Sequence, residues 1–203
     1  WGASAGSDTA DAWSRGTVFG GGFGGTVRNT KVTLEGGDFG WAYGGGENCT
    51  VEKSTDIQLL ANPDNWCSVF GGGNGGSVNE TNLTARGVAN GDYAVYMYGG
   101  GWNDSVETAN ITIGGDCRFS GNVGVFATGS GESGSAKSST VENANFVIDD
   151  FDKLTQYNTT VCGPLVGTNV AGETNVLVTG TQTRDTSMQL LLKDIDNVKL
   201  EQC

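Results

Sequence analysis

The chain has 203 residues, 35 of them glycine and only two proline, with a formal net charge of −12 and no histidine. That charge argues against nucleic acid or an anionic membrane as partner, and the missing imidazole removes Ser-His and Cys-His nucleophile pairs and the common zinc ligand sets. No stretch approaches the roughly 18 apolar residues needed to cross a bilayer, so membrane insertion is not expected.

Residues 1–16 open with WGASAGSDTADAWSR, a broken copy of the later repeats: Trp1-Gly-Ala-Ser lies over Phe70-Gly-Gly-Gly without the tail. The chain reads as entering a repeat partway through, with no recognisable leader, as a piece of a longer protein would. From Thr17 one sentence recurs. Phe19 opens GGGFGGTVRNTKVTL, Tyr43 opens GGGENCTVEKSTDIQL, Phe70 opens GGGNGGSVNETNLTA and Tyr98 opens GGGWNDSVETANITI. Phe126 and Cys162 open decayed copies ending in ENANFVI and ETNVLV. Val27, Val51, Val78, Val106 and Val170 each follow the opening residue by eight positions, whereas the Phe126 copy carries a Ser/Gly-rich insertion. Periods of 24, 27, 28, 28 and 36 leave the return path variable. A constant half and a looser half are expected of stacked coils, so the period decides the fold. The glycines recur in register and read as backbone geometry rather than as disorder.

Each tail alternates apolar and polar residues, as at Val32 and Leu34, Ile57 and Leu59, or Ile111 and Ile113. Period two with β-branched residues predicts a half-buried strand. A second short strand precedes each glycine run, as at Thr17–Phe19 and Val95–Tyr98. Coils hydrogen-bonded about 4.8 Å apart would give six to seven turns and a rod roughly 30 Å long. Stacking would gather Phe19, Tyr43, Phe70, Tyr98 and Phe126 into an interior aromatic column, with glycine permitting a tight corner. A phosphate-cradling role for the glycines fails, because no Lys-Ser/Thr and no helix pattern follow them.

Just before the inward strand residue stand Lys31, Asp56, Asn82, Asn110, Asn145, Asn175 and Asn197. Stacked asparagine amides hydrogen-bond along a column. This column resembles the asparagine ladders of right-handed parallel β-helices, the pectin-lyase-like superfamily. The V-[FY]-G-G-G…V-x-x-T-N-V sentence resembles repeats of cell-surface adhesin-type proteins of Gram-positive gut bacteria. The resemblance covers Thr17 to about Val178 and implies an all-β right-handed parallel β-helix with Gly-rich corners and an Asn ladder of Asn82, Asn110, Asn145 and Asn175. It implies no particular activity, since the fold serves lyases, hydrolases and adhesins alike. One domain over 1–203 is expected, with a partial first coil to residue 16 and solenoid repeats over 17–180. Residues 181–203 form a last, glycine-free coil or a cap, the alternative to strand being an amphipathic helix from Ser187.

Three features carry candidate chemistry. The position after each valine forms an outward column of Arg28, Glu52, Asn79, Glu107, Glu142 and Ala171. Stacked acids there would flank a glycosidic bond in an enzyme reading, or form a solvated stripe that keeps the sheet soluble. No catalytic residue carries over from the resemblance. Asp149, Asp150 and Asp152 offer oxygen ligands to calcium or a plain polar turn, and no other metal or cofactor is implied. Trp41, Trp66 and Trp102 lie in connections and corners, placed either to stack on a sugar or anchor a protein, or to staple loops to the coil. Six sequons (Asn48, Asn79, Asn82, Asn103, Asn110, Asn158) arise from an Asn/Thr-rich repeat and matter only in a eukaryotic source. Five cysteines suggest an oxidising, extracellular setting, with Cys49 and Cys67, flanking one corner region, as the candidate disulfide. The reading is therefore a non-enzymatic, extracellular cell-surface adhesin or binding module for a host glycan or host protein. The alternatives are a polysaccharide-active β-helix enzyme or a structural stalk.

Overall fold

A computed structural model of the chain describes residues 16–61, 66–88, 94–114, 117–119, 123–129, 139–149, 155–156, 161–166, 169–180 and 189–201. Its strands are, in chain order, β1 Gly16–Phe19, β2 Thr26–Leu34, β3 Phe39–Tyr43, β4 Glu47–Leu59, β5 Cys67–Phe70, β6 Asn74–Ala85, β7 Val95–Tyr98 and β8 Trp102–Gly114. There follow β9 Arg118–Phe119, β10 Val123–Phe126, β11 Thr140–Asp149, β12 Thr155–Gln156, β13 Val161–Val166, β14 Thr174–Thr179, β15 Gln189–Lys193 and β16 Asn197–Glu201. The described residues contain no helix. The repeats that open at Trp1 and the insertion after Phe126 fall outside them, apart from the insertion's edges.

Two seven-stranded sheets result, one ordered β1-β3-β5-β7-β10-β13-β15 and the other β2-β4-β6-β8-β11-β14-β16. Each pairs strands one coil apart, and every pairing is parallel. Parallel neighbours joined by a return path through the second sheet make a β-solenoid. About four regular turns carry the repeat, matching the four unbroken glycine triplets at 20–22, 44–46, 71–73 and 99–101. Six to seven coils, counting the partial ends, were expected. Beyond Gly101 the strands continue both sheets, but the corners no longer hold the triplet. The end of the chain is strand at β15 and β16, each closing one sheet.

Register follows the valine column through Val27, Val51, Val78, Val106 and Val141, and an isolated bridge adds Val170. It corrects the sixth repeat: Phe126 pairs with Val166, not Cys162. Only Gly167, Thr168 and Asn169 separate Val166 from Val170, where the earlier copies have seven residues between ring and valine. The longer tail after Val51 is a bulge in β4, where Glu52 and Lys53 both oppose Asn79.

Two inward columns of β2–β14, one through Val32, Ile57, Leu83, Ile111, Phe146 and Val176 and one through Leu34, Leu59, Ala85, Ile113, Ile148 and Val178, are buried. They meet Val18, Ala42, Val69, Met97 and Val125 from the facing sheet in one apolar cluster. A fully buried aliphatic side chain contributes about 1.5–3 kcal/mol, so these short strands hold because their neighbours above and below cover them.

The glycine triplets carry the inter-coil ladder around the corner. Gly44 N–H donates to Phe70 O at 2.8 Å and Gly71 N–H to Tyr98 O at 2.8 Å. A Cβ on Gly71 would run into the Gly99 carbonyl and the Thr81 side chain, so the corners stack this closely only without side chains. Gly76, with φ of 100°, is the second position where glycine is demanded, its missing Cβ facing the Cys49 carbonyl.

Candidate functional site

The aromatic column exists as expected but on the other side of its sheet. Phe19, Tyr43, Phe70, Tyr98 and Phe126 stack with ring centroids 4.6–5.1 Å apart and planes within 16° of parallel. Successive strand residues alternate faces. With Val18, Ala42, Val69, Met97 and Val125 turned into the apolar cluster, the aromatic row faces away from it. The rings bury one another, and the corner leans over them: Trp102 sets its edge against Phe70 at 6.4 Å and 90°. Of the three expected tryptophans, Trp102 is therefore a staple on this stack.

Trp41 and Trp66 lie elsewhere. Trp41 stands on β3 between Thr17 and Ser68 of the flanking strands, and Ser68 pairs in turn with Tyr96. This second outward row runs beside the aromatic stack. Trp66 meets Tyr96 at 6.4 Å and 74°, edge against face. The structure thus brings Trp41, Trp66 and Tyr96 to one outer face, all three half-buried, and sends Trp102 to the corner. The hydroxyl-bearing rings in the stack are hard to ionise. Burial, with the Asp104 and Glu47 carboxylates adding, pushes the Tyr43 phenol up to about 12. Burial and Tyr96 push Tyr98 to about 12 against a hydrogen bond with Ser68.

On the facing sheet the asparagine ladder is continuous. Asn197 donates to Asn175 Oδ1 at 3.0 Å, Asn175 to Asn145 at 3.1 Å, Asn145 to Asn110 at 2.9 Å and Asn110 to Asn82 at 3.0 Å. Asn82 ends the run by donating to Glu80 Oε1 at 3.0 Å. Below it the column changes chemistry, with Lys31 and Asp56 ion-paired at 3.7 Å. The sequons at Asn82 and Asn110 thus have their amides engaged in the ladder.

The outward column of Glu52, Asn79, Glu107 and Glu142 is exposed, as expected of a stripe after the valines. Glu52, Glu80 and Glu107 line one open groove of about 460 Å³ with Asn29, Lys53 and Asn79. Of the acidic cluster, Asp149 accepts from Arg86 Nη2 at 2.6 Å and from Thr179 at 3.2 Å, while Asp150 and Asp152 lie outside the described residues. The expected Cys49–Cys67 bridge is not seen. Cys49 is a buried free thiol on β4 opposite Gly76, whereas Cys67 sits on β5 opposite Val95, so the two belong to different sheets.

Two side-chain roles escaped the sequence reading. Thr30, Thr55 and Thr81 donate buried hydroxyls at 2.6, 2.7 and 2.7 Å to the carbonyls of Gly44, Gly71 and Gly99, tying each tail to the next coil's corner. Their recurrence three residues or so after the valine was visible; their target was not. Asp104 has no counterpart in the other repeats. It is buried beneath the corner, accepting from Gly73 N at 3.0 Å, Gly101 N at 3.0 Å and Ser139 Oγ at 2.9 Å. Burial raises its pKa above the ordinary carboxylate range, and the Ser139 hydroxyl and the glycine amides pull it back in part. Compared with known protein families, curated proteins and solved structures, the chain finds no match.

Proposed function

We propose that this chain is a non-enzymatic binding module of an extracellular, bacterial cell-surface protein, presenting a rigid β-solenoid face to a host glycan. The observation that carries the reading is the outer face of β3, β5 and β7, where half-buried Trp41 and Tyr96 stand in register on either side of the buried Ser68 and Trp66 meets Tyr96 edge to face. Aromatic surface on a rigid scaffold suits sugar C–H faces, and the Thr17 and Tyr96 hydroxyls beside it supply orientation.

The test is binding of the purified chain to a glycan array, with an array of host extracellular proteins beside it. Trp66→Ala and Trp41→Ala are expected to lower glycan binding at least tenfold with little change in unfolding midpoint. A ligand found only among the proteins, or glycan binding that survives both changes, overturns the reading. The groove holding Glu52, Glu80 and Glu107 favours a second reading, a polysaccharide-active enzyme. Cleavage of a polysaccharide by the parent chain, abolished by Glu107→Gln, would replace the first reading with it.

A further inference from the structure

The outer row of the first sheet has a spacing as well as a composition. Trp41, Ser68 and Tyr96 sit on β3, β5 and β7 and pair without a register shift. The two aromatic side chains therefore stand on alternate coils, roughly 10 Å apart at the strand spacing of a sheet. Ser68 between them is 5% exposed, so no side chain rises between the rings. Tyr96 is held on two sides. Trp66 meets it edge to face at 6.4 Å. The next residue of the row, Gly124, has no room for a Cβ, which would fall 2.9 Å from Tyr96 Cδ1 and 2.6 Å from the Phe126 ring. A platform fixed in this way needs little ordering when a ligand lands on it. No charged side chain stands in the row from Thr17 to Gly124 or in the aromatic stack beside it, and the chain as a whole carries −12.

We propose, resting on the glycan-binding reading above, that this row takes a neutral, linear, β-1,4-linked glycan laid along the solenoid axis, with alternate sugar residues stacked on Trp41 and Tyr96. An extended β-1,4-linked chain is a flat ribbon in which each residue is turned over relative to the last. Its structural repeat is therefore two residues, close to the two-coil spacing of the rings. Equatorial hydroxyls leave C–H groups on both faces of each sugar, the surface an aromatic ring accepts. An α-1,4-linked chain winds into a helix and does not hold alternate residues in a straight row. Uronate or sialate chains bring negative charge to a protein of the same sign. A ligand that reaches both rings makes its second contact intramolecularly and gains affinity from that. The shortest that does so is a trisaccharide, with one residue on each ring and the middle one over Ser68.

Titration calorimetry of the full chain with cello- and chito-oligosaccharides of increasing length tests this, beside malto-oligosaccharides and oligogalacturonates of the same lengths. Affinity for at least one β-1,4-linked neutral series is expected to rise at least tenfold from disaccharide to trisaccharide. Trp41→Ala and Tyr96→Ala are each expected to remove that rise while the unfolding midpoint stays near the parent's. Should either variant fail to fold, the length and linkage dependence of the parent decides alone. Equal or tighter binding of the malto or galacturonate series, or no rise at the trisaccharide, overturns the proposal and leaves the glycan reading standing. So does a ligand of another linkage on the glycan array with neither β-1,4-linked series bound. Binding to no glycan at all overturns both.

Discussion

Phe70 shows how one residue can hold several coils. It is stacked on Tyr43 and Tyr98 and edged by Trp102, and it is buried although it points away from the apolar cluster. Phe70→Ala should cost about 3–5 kcal/mol in denaturant unfolding, while Glu107→Gln on the exposed stripe should change stability by less than about 0.5 kcal/mol. Equal, small effects would overturn the stacked-ring account. Alkali tests the same column. Tyr43 and Tyr98 have folded pKa values of about 12, above the ordinary 10.0. A raised pKa contributes stability that is complete below the unfolded value and is lost as pH rises through the folded one. The chain should therefore lose stability between about pH 10 and 12, with two of its five tyrosines titrating late in an absorbance titration. Asp104 follows the same sign at lower pH. Its raised pKa means that ionisation works against the fold, so its contribution fades as pH climbs past the ordinary carboxylate range. The stability of Asp104→Asn relative to the parent should accordingly improve as pH rises, a trend that unfolding at several pH values would read. The aromatic repeat was legible because rings recur at fixed offsets, but its facing was not. A strand of three or four residues is too short to show which of its two alternating sets is the more apolar.

At the scale of the element, the coil is closed by a side chain reaching over the corner. Thr81 donates to the Gly99 carbonyl from a fully buried position, so Thr81→Val keeps the shape and removes only the hydroxyl. It should cost about 1–3 kcal/mol, since the carbonyl is left desolvated. The same change at Thr108, which pairs with Glu80 on the outer side, should be near neutral. Strands, valine register and asparagine ladder could all be read from spacing, because each coil repeats its neighbour and period two is unambiguous beside glycine. What failed was the alignment of Cys162 over Phe126 and the pairing of Cys49 with Cys67. The first came from counting along the chain where the corner had changed length, and the second arose because sequence distance does not report which sheet a residue has entered. The pairing of Trp66 with Tyr96 was equally hidden, since Trp66 lies before its strand and Tyr96 on the next coil's.

At the scale of the molecule, each coil contacts chiefly the coils beside it, so stability adds up along one direction. A lesion at Phe70 should therefore raise amide exchange first in β3, β5 and β7 and last in β14, which hydrogen exchange by mass spectrometry resolves. Uniform loss of protection along the whole chain would contradict a one-dimensional solenoid. The asparagine ladder gives the rod one more property. All its amides donate in the same sense, from Asn197 down to Asn82, and the last donor meets the carboxylate of Glu80. The side-chain dipoles therefore add, as peptide dipoles do in a helix, with the positive pole resting on an anion. Each bond polarises the next. Removing that anion by Glu80→Gln should loosen amide protons as far away as Asn145, so a surface charge on the third coil would be felt two coils further along the rod.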